Sequence, residues 1–230
     1  MTGIIGAVGE EVVKLIACMD ADQITVKAGM EFHTGRICGT EVTVVQSGIG
    51  KVNMAMCAQI LIDVFGADTL INTGVAGALA EGLETGDVVI GTDAVQHDMD
   101  CTGCGDPLGQ VPRMDIWAFP TDRALNERAQ ELNRQVNPDI HTYMGRIVSG
   151  DQFISDGAKK EALIRDFKGS CCEMEGAAMA QTAYRNGVPC LILRAISDNA
   201  DGSAAVAYET FLGAAVDNLV RLLIALLPQI

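Results

Sequence analysis

Cys190-Leu191-Ile192-Leu193-Arg194-Ala195-Ile196-Ser197-Asp198 opens with four apolar residues and then delivers a cation, a hydroxyl and a carboxylate together. A strand apolar on both faces is buried between two layers, and where helices follow such strands the layers are helical. Leu70-Ile71-Asn72 reads the same way. Outward from these runs, punctuation by Gly, Asn and Asp predicts strands over 3–7, 23–28, 31–38, 41–46, 69–73, 87–96, 141–148 and 189–196. Helical spacing predicts helices over 10–19, 52–65, 121–136, 158–167, 175–186 and 204–227. The first short strands read as meanders. The whole predicts an α/β fold, a three-layer αβα sandwich around a twisted mixed β-sheet. No linker, repeat or low-complexity block divides it, so one domain over 1–230 is expected.

Composition narrows the function classes. With 49% apolar residues in a chain of 230, disorder is excluded. Aromatic residues make up only 4% while Gly numbers 25, a balance usual in α/β enzymes and poor in stacking platforms for single-stranded nucleic acid. Sixteen basic against thirty acidic residues give a net charge of -14, which repels a phosphate backbone or an anionic membrane. Small molecules are the expected partners; nucleic acid and membrane are not.

The N-terminal Met1–Val8 run is apolar but has no basic leader and meets an acidic pair at once, so it reads as a first strand and not as a signal peptide. The longest apolar run, 211–227, is interrupted by Asp217, Asn218 and Arg221, and its stripe from Phe211 to Leu226 reads as a core helix. A soluble, cytoplasmic protein is expected. Eight cysteines scattered through apolar segments then read as reduced core thiols. The helix from Val52 carries Met54, Met56, Ile60, Leu61, Ile62 and Val64, more apolar surface than one stripe needs. It is either fully buried or the contact face of a homo-oligomer.

In an open α/β sheet, ligands sit beyond the carboxyl ends of the strands. Four segments there carry polar groups. Glu11, after the first strand, faces the mouth of the sheet or serves as a first-turn acid favoured by the helix dipole. Asn72-Thr73-Gly74-Val75-Ala76-Gly77 reads as a turn whose small residues let backbone amides approach a ligand, or as a turn of geometric use alone; it matches neither a Walker nor a dinucleotide fingerprint. In Glu173-Met174-Glu175 an extended backbone would send the carboxylates to opposite sides, Glu175 towards a ligand and Glu173 onto an internal base; a capping acid beside a surface acid is the plainer reading. Asp198, partly desolvated and bonded by Ser197, would hold its proton well above the ordinary aspartate range, unless it merely caps the next turn with Arg194 as ion partner.

Taken in order, Gly3-Ile4-Ile5-Gly6-Ala7 with Glu11, Ser47-Gly48-Ile49-Gly50-Lys51-Val52, Asn72-Thr73-Gly74, Ser149-Gly150-Asp151-Gln152-Phe153-Ile154, Glu173-Met174-Glu175 and Arg194–Asp198 closely resemble the 5′-methylthioadenosine/S-adenosylhomocysteine nucleosidases across nearly the whole chain. The resemblance implies a nucleoside phosphorylase-like fold and a homodimeric hydrolase, free of cofactor and metal, that cuts the N-glycosidic bond of 5′-thio-substituted adenosines. It implies Asp198 as the general acid at purine N7 and Glu11 as the base that aligns the attacking water. Glu175 is implied as acceptor of ribose hydroxyls, with Met174 against the sugar, Phe153 stacked on adenine and Ile154 offering main-chain bonds to the base. Tyr208 matches an aromatic that closes over the ligand. Glu173 and Arg194 match groups that hold the water and the neighbouring carboxylate, and Ser197 accompanies Asp198.

The same fold is implied for nucleoside phosphorylases, but Glu10 and Glu11 after the first strand and the lack of Arg over 72–78 favour water over a phosphate dianion as nucleophile. Some positions depart from the family. Val8 and Gly9 stand for a usual Met-Glu pair, and Val75 for a small hydroxyl residue, implying slower turnover. The loop from His97 to Asp106 lacks the aromatic residues that border the family's 5′ pocket. It carries Cys101-x-x-Cys104, whose alternative reading is a zinc or redox module, although no spacing nominates His33 or His141 as further ligands. A silent nucleoside-binding protein is a third reading, disfavoured because a binder gains nothing from a desolvated acid.

Overall fold

The computed structural model describes residues 1–202 and 204–230, except the side chains at 21, 205, 206, 208 and 209. Its elements follow the alternation expected of the sequence: β1 (Thr2–Gly6), α1 (Gly9–Ile16), β2 (Asp20–Lys27), β3 (Met30–Ile37), β4 (Thr40–Gln46), α2 (Lys51–Phe65), β5 (Thr69–Ala78) and β6 (Val88–Gln96). A single 3₁₀ turn at Thr102–Cys104 precedes β7 (Phe119–Pro120), α3 (Arg123–Val136), β8 (Thr142–Ser149), α4 (Gly157–Phe167), β9 (Cys171–Glu173), α5 (Gly176–Asn186), β10 (Cys190–Asp198) and α6 (Ala204–Leu226).

The sheet runs β10-β6-β8-β9-β5-β1-β4-β3-β2, and β10 also pairs with β5. The strands β5, β10, β6, β8 and β9 therefore close on themselves, while β1 to β4 continue as an open wing. β10 lies parallel to β5 from Cys190↔Leu70 to Asp198↔Gly77 and antiparallel to β6 at Leu193↔Ile90. Every residue of β10 is buried, which is the two-sided burial its apolar composition called for. One face packs Met54, Leu61, Met179 and Ala183 of α2 and α5. The other packs Leu15, Leu132, Leu219 and Leu223 of α1, α3 and α6.

Two local readings change. The run 74–77, expected as a turn, continues β5 to Ala78, because Gly74 to Ala76 pair in register with Arg194 to Ile196, and after an irregularity at Ser197 Gly77 pairs with Asp198, while Gly77 and Ala78 also pair with Cys172 and Cys171. Small residues permit that crowding: a Cβ on Gly77 would sit 2.9 Å from the Ala200 Cβ. β7 and β9 are too short to show a period of two. The stretch Thr210–Gln229 is long and apolar enough to cross a bilayer by composition, yet Leu219, Leu222, Leu223 and Leu226 are buried in the core.

Leu193, fully buried at the centre of β10, tests this layering. Leu193→Ala is expected to cost about 2–5 kcal/mol, read as a lower urea midpoint at unchanged m-value.

Candidate active site

β1, β5, β9 and β10 end around a cleft of about 230 Å³, and Ile49, Gln152, Phe153 and Ile154 complete its wall. Glu11, Glu173, Glu175 and Asp198 all reach it, although they come from α1, β9, the start of α5 and β10. All four are buried.

Glu11 folds back over the loop that precedes its own helix. Its Oε2 accepts the N–H groups of Ala7 at 2.6 Å and Val8 at 3.1 Å, and its Oε1 accepts that of Val75 at 3.2 Å. Gly74 makes room for it, since a Cβ there would lie 2.5 Å from Oε1. Burial lifts the Glu11 carboxyl above its ordinary range, against the pull of Arg194 and of those three donors.

Arg194 is 1% exposed. It donates to Glu173 Oε2 at 2.5 Å, to the Asn72 side-chain oxygen and to the Leu193 carbonyl at 2.9 Å. Glu173 also accepts from the Ser149 hydroxyl and from the N–H groups of Glu175 at 3.0 Å and Gly176 at 2.8 Å at the start of α5. Burial pushes the Glu173 carboxyl up, but Arg194 and the hydroxyl of Ser149 outweigh it and hold Glu173 below the usual range. Arg194 does not line the cleft. The alternative that made it the ion partner of Asp198 is therefore replaced: its partner is Glu173, and it acts on the cleft through that carboxylate.

Glu175 precedes α5 at φ -133 and ψ -40, no longer extended, and lines the same cleft as Glu173. Its Oε1 accepts the Gly50 N–H at 2.7 Å. Burial, reinforced by the charge of Glu173, pushes its carboxyl up to about 7. Asp198 accepts the Ser197 hydroxyl at 2.8 Å and the Ala200 N–H at 2.8 Å. Burial raises it as well, with both donors pulling the other way. Phe153, half exposed, Met174 and the buried Ile154 supply apolar walls. The side chain of Tyr208 lies outside the described residues.

Asn72, Ser149, Gly50 and Cys172 belong to this site or its support and were not singled out by residue from the sequence. Asn72 and Ser149 stood inside quoted motifs; their partners lie about a hundred and twenty and about twenty-five residues away, which no local pattern reveals. His97 is buried edge-on to Phe167. Among the described residues no group of three His, Cys, Asp or Glu is placed to hold a metal ion.

Residues 2–228 match the family model of the Phosphorylase superfamily. A 5′-methylthioadenosine/S-adenosylhomocysteine nucleosidase of Staphylococcus carnosus is 40% identical over 232 residues, covering 100% of both chains. The nucleosidase of that name from Neisseria meningitidis, solved with methylthio-immucillin-A, superposes with a TM-score of 0.96 at 35% identity, covering 100% of this chain and 99% of that one. A futalosine hydrolase of Helicobacter pylori superposes at 0.93 with 34% identity, covering 100% and 97%. Within the superfamily, the chain belongs to the 5′-methylthioadenosine/S-adenosylhomocysteine nucleosidases.

The raised Glu175 carboxyl makes stability pH-dependent. The folded state holds a proton that the unfolded chain releases near 4.5, so the contribution is complete below that pH and is lost as pH rises towards about 7. On the order of 3 kcal/mol is involved at ~1.4 kcal/mol per unit. Urea unfolding at intervals from pH 4.5 to 7.5 is expected to show wild type losing more stability over this window than Glu175→Gln; parallel curves would contradict the assignment.

Proposed function

We propose that this cleft hydrolyses the N-glycosidic bond of 5′-methylthioadenosine and S-adenosylhomocysteine, releasing adenine and the 5-thio-substituted ribose. The observation that carries the reading is the meeting of Glu11, Glu175 and Asp198 on one small cleft, each with its carboxyl raised by burial. The full-length likeness to named nucleosidases supports it.

Breaking the bond between C1′ and N9 leaves positive charge on the sugar and negative charge on the base. Asp198 donates a proton to purine N7, so the base departs neutral. Glu11 orients the attacking water and takes its proton, and a carboxyl lifted by burial is a better base for that step than an ordinary glutamate. Glu175 accepts from the ribose hydroxyls and places negative charge beside the developing cation. Phe153 and Ile154 flank the adenine and Met174 the sugar. Each of the three carboxyl groups binds the transition state better than the neutral substrate.

Water is the nucleophile and phosphate is not. The attack side of the cleft holds Glu11, whose charge repels a dianion, and Arg194 is committed to Glu173 and Asn72 away from the cleft wall. A homodimer is part of the proposal. Val52 is 76% exposed and Val64 and Met56 lie along the same helix, beside Ile49 at the cleft mouth. Adenine nucleosides are the proposed small-molecule partners, in a cytoplasmic setting that suits eight free thiols.

Incubating purified protein with each nucleoside, with and without phosphate, tests the reading. Adenine release is expected at a rate indifferent to phosphate, with free sugar as co-product; a sugar phosphate would overturn it. In the same assay Asp198→Asn is expected to lower kcat by ~10²-fold or more while nucleoside binding survives. An unchanged rate would remove Asp198 from the role.

A further inference from the structure

Lys51, Asp98 and Asp151 form a closed ring beside the cleft that the proposed chemistry does not use. The Lys51 N–H donates to Asp151 Oδ1 at 2.8 Å, the Asp151 N–H donates to Asp98 Oδ2 at 2.8 Å, and the Lys51 ammonium returns to Asp98 Oδ1 at 2.5 Å. Lys51 Nζ also donates to Gln96 Oε1 at 3.0 Å, and the Gln96 amide donates in turn to Gln181 on α5. The three members come from the first turn of α2, the segment after β6 and the loop after β8.

Their neighbours are cleft residues. Gly50, one residue before Lys51, presents its N–H to Glu175 Oε1 at 2.7 Å. Gln152, Phe153 and Ile154, directly after Asp151, line the cleft. Gly50 starts α2 at φ 98 and offers no capping side chain, and a Cβ there would stand 3.0 Å from Asp151 Oδ1. Asp151 therefore caps α2 from another part of the chain, in a space that exists because residue 50 is glycine. None of the three ring residues lines the cleft. The Lys51 and Asp98 side chains are 16% and 15% exposed, so solvent screens their pairing only weakly.

We infer that this ring is a positioning device, with Lys51 as its keystone, that aims the Gly50 N–H at Glu175 and holds the Gln152–Ile154 wall at the width of the bound nucleoside. The inference rests on the nucleosidase reading of the cleft. Burial alone would lift the Asp98 carboxyl, but its bonds from Lys51 and from the Asp151 N–H hold it below the usual range, as an ion pair requires. Facing Glu175 are Glu173 from β9, Arg194 from β10, Glu11 from α1 and the Gly50 N–H from α2. Gly50 is the donor among them that the ring controls. Without it Glu175 keeps its proton to higher pH, and the wall that carries Phe153 loosens.

Lys51→Met and Lys51→Arg, assayed with 5′-methylthioadenosine across pH and followed by amide hydrogen exchange, test this. Lys51→Met is expected to raise KM by about tenfold or more with a smaller change in kcat, because it misplaces binding groups and leaves the acid and base in place. The acidic limb of its kcat/KM profile moves to higher pH, and exchange quickens at residues 50–51 and 151–153. Lys51→Arg, which keeps the charge, restores KM to within about threefold. Should Lys51→Met fail to fold because Asp98 is left unpaired, Lys51→Met with Asp98→Asn removes that stranded charge and carries the same expectation. A folded variant with wild-type KM, pH profile and exchange would overturn the inference, as would lower kcat and lower Tm with no movement of KM or of the pH profile. If wild type releases no adenine, the nucleosidase reading fails instead, and the exchange data still decide whether the ring holds these segments.

Discussion

One buried guanidinium faces three buried acids. Arg194 sits among Glu11, Glu173 and Glu175 with almost no access to water, and a single positive charge cannot keep three carboxylates ionised in so dry a place. Geometry decides which acid takes it. Glu173 lies against the guanidinium and gathers the Ser149 hydroxyl and two N–H groups of α5 as well, so it is the carboxyl held ionised. Glu11, Glu175 and, further along β10, Asp198 have backbone or hydroxyl donors but no cation in contact, and burial lifts each of them. The contact of Arg194 with Glu173 thus leaves one fixed anion beside three carboxyls raised by burial.

That sorting is what a glycosidic bond cleavage needs. A neutral nucleoside gains little from charged surroundings, whereas a sugar turning cationic and a base turning anionic gain from carboxylates on one side and a proton on the other. Positioned proton transfer contributes ~10²–10⁴-fold, or about 3–5 kcal/mol of barrier. The fold supplies the positioning. Strands that end at one level deliver side chains from 11, 173, 175 and 198 to one cleft, and glycines at 74 and 77 let Glu11 and Asp198 lie directly against β5.

Much of this was legible in the sequence because it was local. The apolar run 190–193 announced a central strand, and the polar triad at its end announced a site. The alternation at 173–175 suggested an extended backbone that parts the two carboxylates, but β9 ends at Glu173 and both side chains line one cleft, with different partners: Arg194 for Glu173 and the Gly50 N–H for Glu175. What depends on distant pairing was not legible. The end of the β10 run left Arg194 free to pair with either Asp198 or an unknown acid, and only the closure of β5 on β9 brings Glu173 to it. The extension of β5 through 74–78 was hidden because glycine and alanine usually mark turns, while here they admit two neighbouring strands. Backbone donors such as Gly50, which reaches Glu175 across 125 positions, leave no trace in residue type.

The most direct test of the account is the proton on Asp198. With ¹³C-labelled aspartate carboxyls, and the resonance assigned by its loss in Asp198→Asn, an NMR titration of the free protein follows that group alone. The account predicts a midpoint clearly above the ~3.9 of an unperturbed aspartate. A midpoint at or below that value would mean that burial does not govern this cleft, and would contradict the partition of charge from which the chemistry follows.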